Sequence, residues 1–341
     1  ALLASRGGVE EGLSLLDQAV SAGPELGGAA AAACGRAAKA RLSVGDTASA
    51  LVLLKRARTL SPADLSHRVA LGEALEAAGD EAAALEEYRA VVKEVPESPH
   101  SGGRIDAILL RRGDSAARMA EWRAFSSAHP GAAMPQFYLG LAMEASGDIG
   151  AAETAYGEAV RLRPEWQEPK IALGAALASR GCAGEGFQLM DQAVAVRPEL
   201  AGDAAAACGR AAQARLSAGD TAGALTLLKR ARSLSPTDLR YRVALGGVFE
   251  AAGDDAAALE EYRAVVDEVP ESPHCCGRID AILDRRGDAA ARAAEWRRTV
   301  EMHPGAAWPR VYLGLSLEAA GDAAAAEAEY RAALSRNASV D

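Results

Sequence analysis

Residues 133–166 read AMPQFYLGLAMEASGDIGAAETAYGEAVRLRPEW, and the order of apolar, glycine and acidic residues in this stretch predicts the fold. Apolar residues recur three and four positions apart on both sides of the central Gly147-Asp148 pair, which is the spacing of one helix face. Glycine can adopt the left-handed conformation that ends a helix, and aspartate can accept the free amide hydrogens that begin the next. The stretch therefore predicts two helices joined by a tight turn.

Within each half of the chain the Gly-Asp pair recurs at intervals of 34 residues. It begins at the following glycines: Gly45, Gly79, Gly113, Gly147, Gly219, Gly253, Gly287 and Gly321. All 14 prolines fall between the hairpins that these turns define. Because proline breaks a helix outside its first turn, this placement independently supports the hairpin boundaries.

A longer period of 174 residues contains the shorter one. Residues 78–100 and 252–274 agree at 21 of 23 positions, and residues 45–62 and 219–236 agree at 15 of 18. The chain is therefore predicted to be a tandem duplication, with one helical block in each half.

The two blocks are predicted to be residues 1–174 and 175–341, joined as one continuous solenoid. Five units of 34 residues leave four residues over in each block. We expect these residues at 27–30 and 201–204, ahead of one helix in each block.

The unit resembles the tetratricopeptide repeat (TPR). In that family the first helix carries Leu-Gly and a bulky residue, and the second carries Ala, an aromatic residue, Ala and Pro. The matching residues of 133–166 are Leu139, Gly140, Met143, Ala152, Tyr156, Ala159 and Pro164. The resemblance implies an all-α, right-handed superhelix of stacked hairpins with a concave groove. About nine full repeats are expected from residue 31 to 340, with the second helix of another at 9–22.

Three kinds of residue depart from the family pattern. Arg118 and Arg292 replace the small alanine of the second helix, Cys182 replaces the aspartate of one turn, and Ala338 replaces the last proline. We expect these departures to change local packing and to leave the fold intact.

Composition argues against several classes of function. The formal net charge of −10 disfavours nucleic acid, which needs a basic face to displace phosphate counterions. No apolar run approaches the roughly 20 residues of a membrane span. Five cysteines match no disulfide or zinc framework, so we expect free thiols in a reducing compartment, and the expected location is the bacterial cytoplasm.

No motif indicates catalysis, a cofactor or a metal. His274, Cys275 and Cys276 are adjacent, but successive helix residues point about 100° apart and converge poorly on one ion. No glycine-rich loop of a phosphate-binding type occurs. The chain is predicted not to be an enzyme.

The family resemblance assigns groove-facing positions within each repeat. Apolar residues at these positions are Met134, Phe137, Leu141, Trp308, Val311 and Leu315. Exposed aromatic residues near Phe137 and Trp308 are the expected anchors, because they bury much area at little cost in rotamer entropy. The alternative is that Met134 and Trp308 only pack one repeat against the next.

A basic set in each half offers a second candidate site. Its members are His100, Arg104, Arg111, His274, Arg278 and Arg285. Such clusters can hold a carboxylate or an acidic peptide through paired hydrogen bonds. The alternative is a solvated face in which the arginines lie near the negative end of a helix.

Three hypotheses for function follow. The first is a scaffold that binds a protein or peptide in the groove. The second is a targeting arm of a larger bacterial enzyme, of glycosyltransferase, sulfotransferase or methyltransferase type. The third is a self-assembling structural protein, since ends without polar capping helices would stack into a homo-oligomer.

Overall fold

The computed structural model describes residues 2–5 and 8–337, and all regular structure in these residues is helical. The all-α prediction is thus confirmed. The chain forms two compact units, residues 1–169 and 170–341. The helices are α1 (Leu2–Ser5), α2 (Val9–Ala22), α3 (Gly27–Leu42), α4 (Thr47–Leu60), α5 (Leu65–Ala77), α6 (Glu81–Glu94), α7 (Pro99–Arg111), α8 (Ser115–Ala128), α9 (Ala133–Ala145), α10 (Ile149–Leu162), α11 (Gln167–Ser179), α12 (Ala183–Val196), α13 (Ala201–Ser217), α14 (Thr221–Leu234), α15 (Leu239–Ala251), α16 (Asp255–Glu268), α17 (Pro273–Arg285), α18 (Ala289–Met302), α19 (Ala307–Ala319) and α20 (Ala323–Asn337).

The predicted hairpin at 133–166 consists of α9 and α10. Gly147 has a φ of +87°, and the carboxylate of Asp148 accepts a hydrogen bond of 3.0 Å from the amide of Ala151. Glycines of the same left-handed conformation, within the described residues, are Gly45, Gly79, Gly113, Gly147, Gly181, Gly219, Gly253, Gly287 and Gly321. The left-handed glycine turn predicted from the sequence therefore recurs through the described residues.

The departures in spacing and capping have local effects. The extra residues expected at 27–30 and 201–204 lie at the starts of α3 and α13, which have 16 and 17 residues where α9 has 13. At Cys182 no side-chain hydrogen bond caps α12, because a thiol is a weak acceptor. Gly181 still has a φ of +104°, so this turn keeps its shape. Ala338 lies outside the described residues.

In four hairpins of the described chain a tyrosine of the second helix packs on a glycine of the first. A methyl group added at Gly140 would lie 2.5 Å from the Tyr156 ring, and one at Gly72 would lie 2.7 Å from the Tyr88 ring. Both tyrosines are 0% exposed. The repeat pattern therefore requires glycine here because the two helices approach closely.

The hairpin of α7 and α8 replaces this contact with a buried polar triad. Arg118 donates two hydrogen bonds of 2.7 Å to Asp106, and the Trp122 indole donates a third, of 2.8 Å, to the same carboxylate. All three side chains are buried. The arginine that departs from the family pattern is thus matched by an aspartate where the hairpins with the tyrosine contact have glycine. Asp280, Arg292 and Trp296 repeat the arrangement in the second unit.

Ion pairs also join neighbouring hairpins within each unit. Glu87, which is 6% exposed, accepts a hydrogen bond of 2.9 Å from Arg68 and another from Arg58. Arg89 donates two hydrogen bonds of 2.8 Å to Glu121. Successive hairpins are therefore held in register by charge-assisted hydrogen bonds as well as by apolar packing.

Candidate functional site

The predicted binding residues lie on α7 and α9 of the first unit and on α17 and α19 of the second, and the exposed side of each helix pair is termed here the first-helix surface of that unit. On α9, Phe137 is half-buried and its ring lies 4.9 Å from the ring of Trp166 and 6.0 Å from that of Tyr156. The guanidinium of Arg163 stacks 5.5 Å from the Trp166 ring. Leu141, also half-buried, follows one turn after Phe137. Phe137 is therefore part of an aromatic cluster that already has intramolecular partners.

Met134 does not face solvent. It is 1% exposed, and its sulfur would lie 2.5 Å from a methyl group added at Gly102. The expectation that Met134 is an accessible binding residue is thus wrong, because the space above Gly102 admits its side chain into the core.

The second unit differs at both corresponding positions. Cys276 replaces Gly102, and Trp308 replaces Met134. Trp308 is 38% exposed, as is Leu315 two turns later on α19, and Val311 between them is half-buried. The Trp308 ring stacks on the Tyr312 ring, with 6.2 Å between the ring centres, and the rest of the Trp308 side chain is partly exposed to solvent. The three residues form an apolar stripe at helical spacing.

The basic set of the first unit is neutralised by acidic residues of the same unit. Arg104 and Arg111 both donate to Glu76, at 2.9 and 2.8 Å, and Arg111 also donates to Glu81 at 2.8 Å. His100 lies 2.9 Å from a carboxylate oxygen of Glu73. The structure thus brings the three basic residues together, with carboxylates between them.

The charge states of this cluster follow from its contacts. Burial raises the pKa of the Glu76 carboxyl, but hydrogen bonds from Arg104 and Arg111 outweigh burial and leave the pKa below its ordinary value. Burial, and then the charge of Glu76, raises the pKa of Tyr88 to about 12. Glu76 is therefore ionised at neutral pH and Tyr88 is a neutral hydrogen-bond donor.

The basic set of the second unit lines an open concavity of about 690 Å³. Arg278 donates to Glu250 at 2.9 Å, and Arg285 donates to Glu250 at 3.0 Å and to Asp255 at 3.1 Å. His274 lies on the rim, with its ring 6.3 Å from the ring of Tyr262. Burial is the largest single influence on the Glu250 carboxyl and raises its pKa. The hydrogen bonds and charges of Arg278 and Arg285 together outweigh burial, so the pKa lies below its ordinary value.

Sequence reasoning missed the acidic partners of both basic sets. Glu76 and Glu250 occupy equivalent positions at the ends of α5 and α15, 28 residues before the arginines that they bind. Their recurrence at the 174-residue offset, together with the recurrence of Arg104 and Arg278, was the available signal.

The remaining sequence candidates are dispersed. His274 is exposed, whereas Cys275 and Cys276 are buried, so the three side chains do not converge. Burial raises the pKa of the Cys276 thiol to about 12. No group of three metal-ligating side chains occurs among residues 2–5 and 8–337. Within the same residues, no helix is long and apolar enough to cross a membrane.

The solved structures that match this chain include tetratricopeptide repeat proteins. A tetratricopeptide repeat protein from Parabacteroides merdae aligns over 74% of this chain and 98% of its own, with 16% identity and a TM-score of 0.44. A MamA fragment from Desulfovibrio magneticus covers 50% of this chain and 96% of its own, with 22% identity and a TM-score of 0.36. At these scores the likenesses say nothing about a ligand. No curated protein matches the sequence significantly.

The family model described as tetratricopeptide repeat matches residues 36–99 and 210–273. The two matched segments are separated by the same 174 residues as the halves of the duplication. Between and beyond them the same glycine-closed hairpin recurs along the described chain. The two matched segments are tetratricopeptide repeats, and the recurrence of their hairpin supports the same repeat type for the rest of the described chain.

Proposed function

We propose that this chain is an interaction scaffold that holds an extended peptide or a helix of a partner protein against a first-helix surface. The observation that carries the proposal is the apolar stripe of Trp308, Val311 and Leu315 on α19. Two of its members are 38% exposed, although the hairpin offers buried positions for large residues. A role in binding accounts for an aromatic residue held out of the core.

The chemistry of the stripe fits a contact with another protein. Tryptophan is enriched among the residues that dominate binding energy, because it buries a large area and loses little rotamer entropy. Tyr312 stacks on the buried Trp296 at 5.2 Å and supports Trp308 from below. The anchor is therefore rigid before a partner arrives, which lowers the entropic cost of binding.

The proposal is tested by replacing Trp308 with alanine. The immobilised chain would capture partners from a lysate of the source organism, and the dissociation constant of a purified partner would then be measured by fluorescence anisotropy. Loss of a hot-spot tryptophan should weaken binding by roughly 30-fold, which corresponds to about 2 kcal/mol. Val269→Ala is the matched control, since Val269 is 44% exposed but lies outside the stripe.

Equal affinity for Trp308→Ala and Val269→Ala, with unchanged circular dichroism, would rule out the stripe as the anchor. Recovery of only the chain itself would favour self-assembly. The hypotheses of a homo-oligomer and of an arm of a larger enzyme stay predictions, to be checked by mass measurement at several concentrations and from the full reading frame.

A further inference from the structure

The two basic sets are copies of one another. Among the acidic positions that face them, Glu81 becomes Asp255, which keeps a carboxylate, whereas one other position loses its carboxylate. Glu73 on α5 corresponds to Gly247 on α15. In the first unit the Glu73 carboxylate lies 2.9 Å from Nε2 of His100. In the second unit Gly247 lines the concavity and supplies no carboxylate, and His274 has no ion pair in the described part of the chain.

The balance of charge changes accordingly. Around the first set, Glu73, Glu76 and Glu81 face the basic residues, and Arg112 lies 3.6 Å from Glu81. Around the second set Glu250 and Asp255 do so, and no third carboxylate within residues 2–5 and 8–337 pairs with its basic residues. The equivalent of Arg112, Arg286, makes no ion pair within the described residues. The second surface thus has one carboxylate fewer for the same set of one histidine and three arginines.

The second surface also has room for the missing group. A methyl group added at Gly247 would approach only the Tyr262 hydroxyl, at 3.7 Å, which is an ordinary contact. The concavity of about 690 Å³ lies open beside it. A carboxylate brought by another molecule can therefore reach the position that Glu73 takes in the first unit.

We propose that the concavity beside Gly247, bounded by His274, Arg278 and Arg285, binds a carboxylate of a partner peptide, and that Glu73 blocks the equivalent binding in the first unit. The inference rests on the proposed scaffold function and names the chemical class of ligand at one part of its surface. Glu73 acts as an internal ligand: its carboxylate is tethered beside His100, so an external carboxylate must displace it.

The experiment exchanges the two residues in the full chain. Fluorescein-labelled peptides of alternating glycine and glutamate, amidated at the C-terminus, would be titrated by anisotropy, with glycine–glutamine peptides as the neutral reference. A glycine–glutamine peptide with a free C-terminal carboxylate distinguishes a chain end from a side chain as the source of the group. The wild-type chain should bind a carboxylate peptide about tenfold more tightly than the neutral one, with one peptide per chain.

Gly247→Glu should abolish this preference by placing a carboxylate beside His274, whereas Gly247→Gln, of the same size, should retain part of it. Glu73→Gly should raise the number of peptides bound by calorimetry from one to two. Higher salt should weaken each interaction. Circular dichroism would verify that each variant is folded, and His274→Ala provides a second test in which preference should fall.

A wild-type chain that binds glutamate and glutamine peptides equally would overturn the inference, as would an unchanged preference in Gly247→Glu or two peptides bound by the wild type. The scaffold proposal has a separate readout. If a natural partner still depends on Trp308 while the carboxylate preference is absent, only the inference about Gly247 fails.

Discussion

Replacing Arg118 by alanine would remove the cation of the triad buried between α7 and α8. Arg118 contacts Asp106 through two hydrogen bonds of 2.7 Å, and Asp106 is 8% exposed. Breaking a buried ion pair by removal of one partner costs about 3–5 kcal/mol, because the other charge stays desolvated. The Trp122 indole still donates one hydrogen bond, so we expect a loss near the lower end, about 3 kcal/mol.

The assay must report on this hairpin, because repeat proteins can unfold in parts. Hydrogen exchange followed by mass spectrometry over residues 99–132 gives the local free energy of opening, and urea unfolding by circular dichroism gives the global change. A local loss below about 1 kcal/mol would refute the assignment of a buried, mutually dependent pair.

A triple variant that removes the whole triad separates the cost of an unpaired buried charge from the cost of lost packing. Asp106→Gly, Arg118→Ala and Trp122→Tyr together would give this hairpin the glycine, alanine and tyrosine of residues 65–98. Replacing a whole buried pair with well-packed apolar groups is often neutral or stabilising. The triple variant should therefore be more stable than Arg118→Ala alone. Equal instability of the two would show that the loss comes from packing and not from the orphaned charge.

Two further predictions concern close packing and acid stability. Gly140→Ala should destabilise α9 and α10 by about 1–3 kcal/mol, since its methyl group would lie 2.5 Å from Tyr156. Gly157→Ala, with nothing within 4 Å, should be neutral or stabilise by up to about 1 kcal/mol; equal urea midpoints for the two variants would contradict the packing. The folded-state pKa of Glu250 is lowered, so its contribution to stability is present above its ordinary pKa of 4.5 and is lost as the pH falls through the folded value. Glu250→Gln should therefore lose less stability than the wild type between about pH 5 and 3, and parallel urea-midpoint curves would oppose this.

The fold was predictable because its signals are local. A glycine that ends one helix and an aspartate that begins the next are adjacent, and Asp148 bonds to the amide of Ala151, three residues away. A 34-residue recurrence of that turn, with proline between hairpins, leaves few alternatives to a stacked helical repeat. The departure at Arg118 was visible, but its compensation by Asp106, 12 residues earlier, was not recognised.

The candidate site was less predictable because it depends on contacts between hairpins. The burial of Met134 depends on Gly102, 32 residues earlier, and the neutralisation of Arg111 depends on Glu76, 35 residues earlier. Sequence position assigned both residues to the first-helix surface but did not specify their neighbours. A long side chain can contact any group of a neighbouring hairpin within its length, and the spacing of residues along one helix does not determine which group that is.

The internal duplication suggests where the two units can differ in binding. Buried charged groups such as Asp106 and Arg118 keep both partners in the second unit, where a change of one alone would leave a desolvated charge costing several kcal/mol. Exposed residues can change singly, because no desolvated charge is left behind.

Glu73 of the first unit can correspond to Gly247 of the second because the contact of Glu73 with His100 is half-exposed. Gly102 and Met134 can correspond to Cys276 and Trp308 because the tryptophan ring lies at the surface, where the methionine side chain is buried. Both exchanges increase the surface that the second unit offers to a ligand, one by an exposed aromatic ring and the other by a concavity with one carboxylate fewer. Binding at α17 and α19 should therefore exceed binding at their copies α7 and α9, although the two hairpin pairs share one fold.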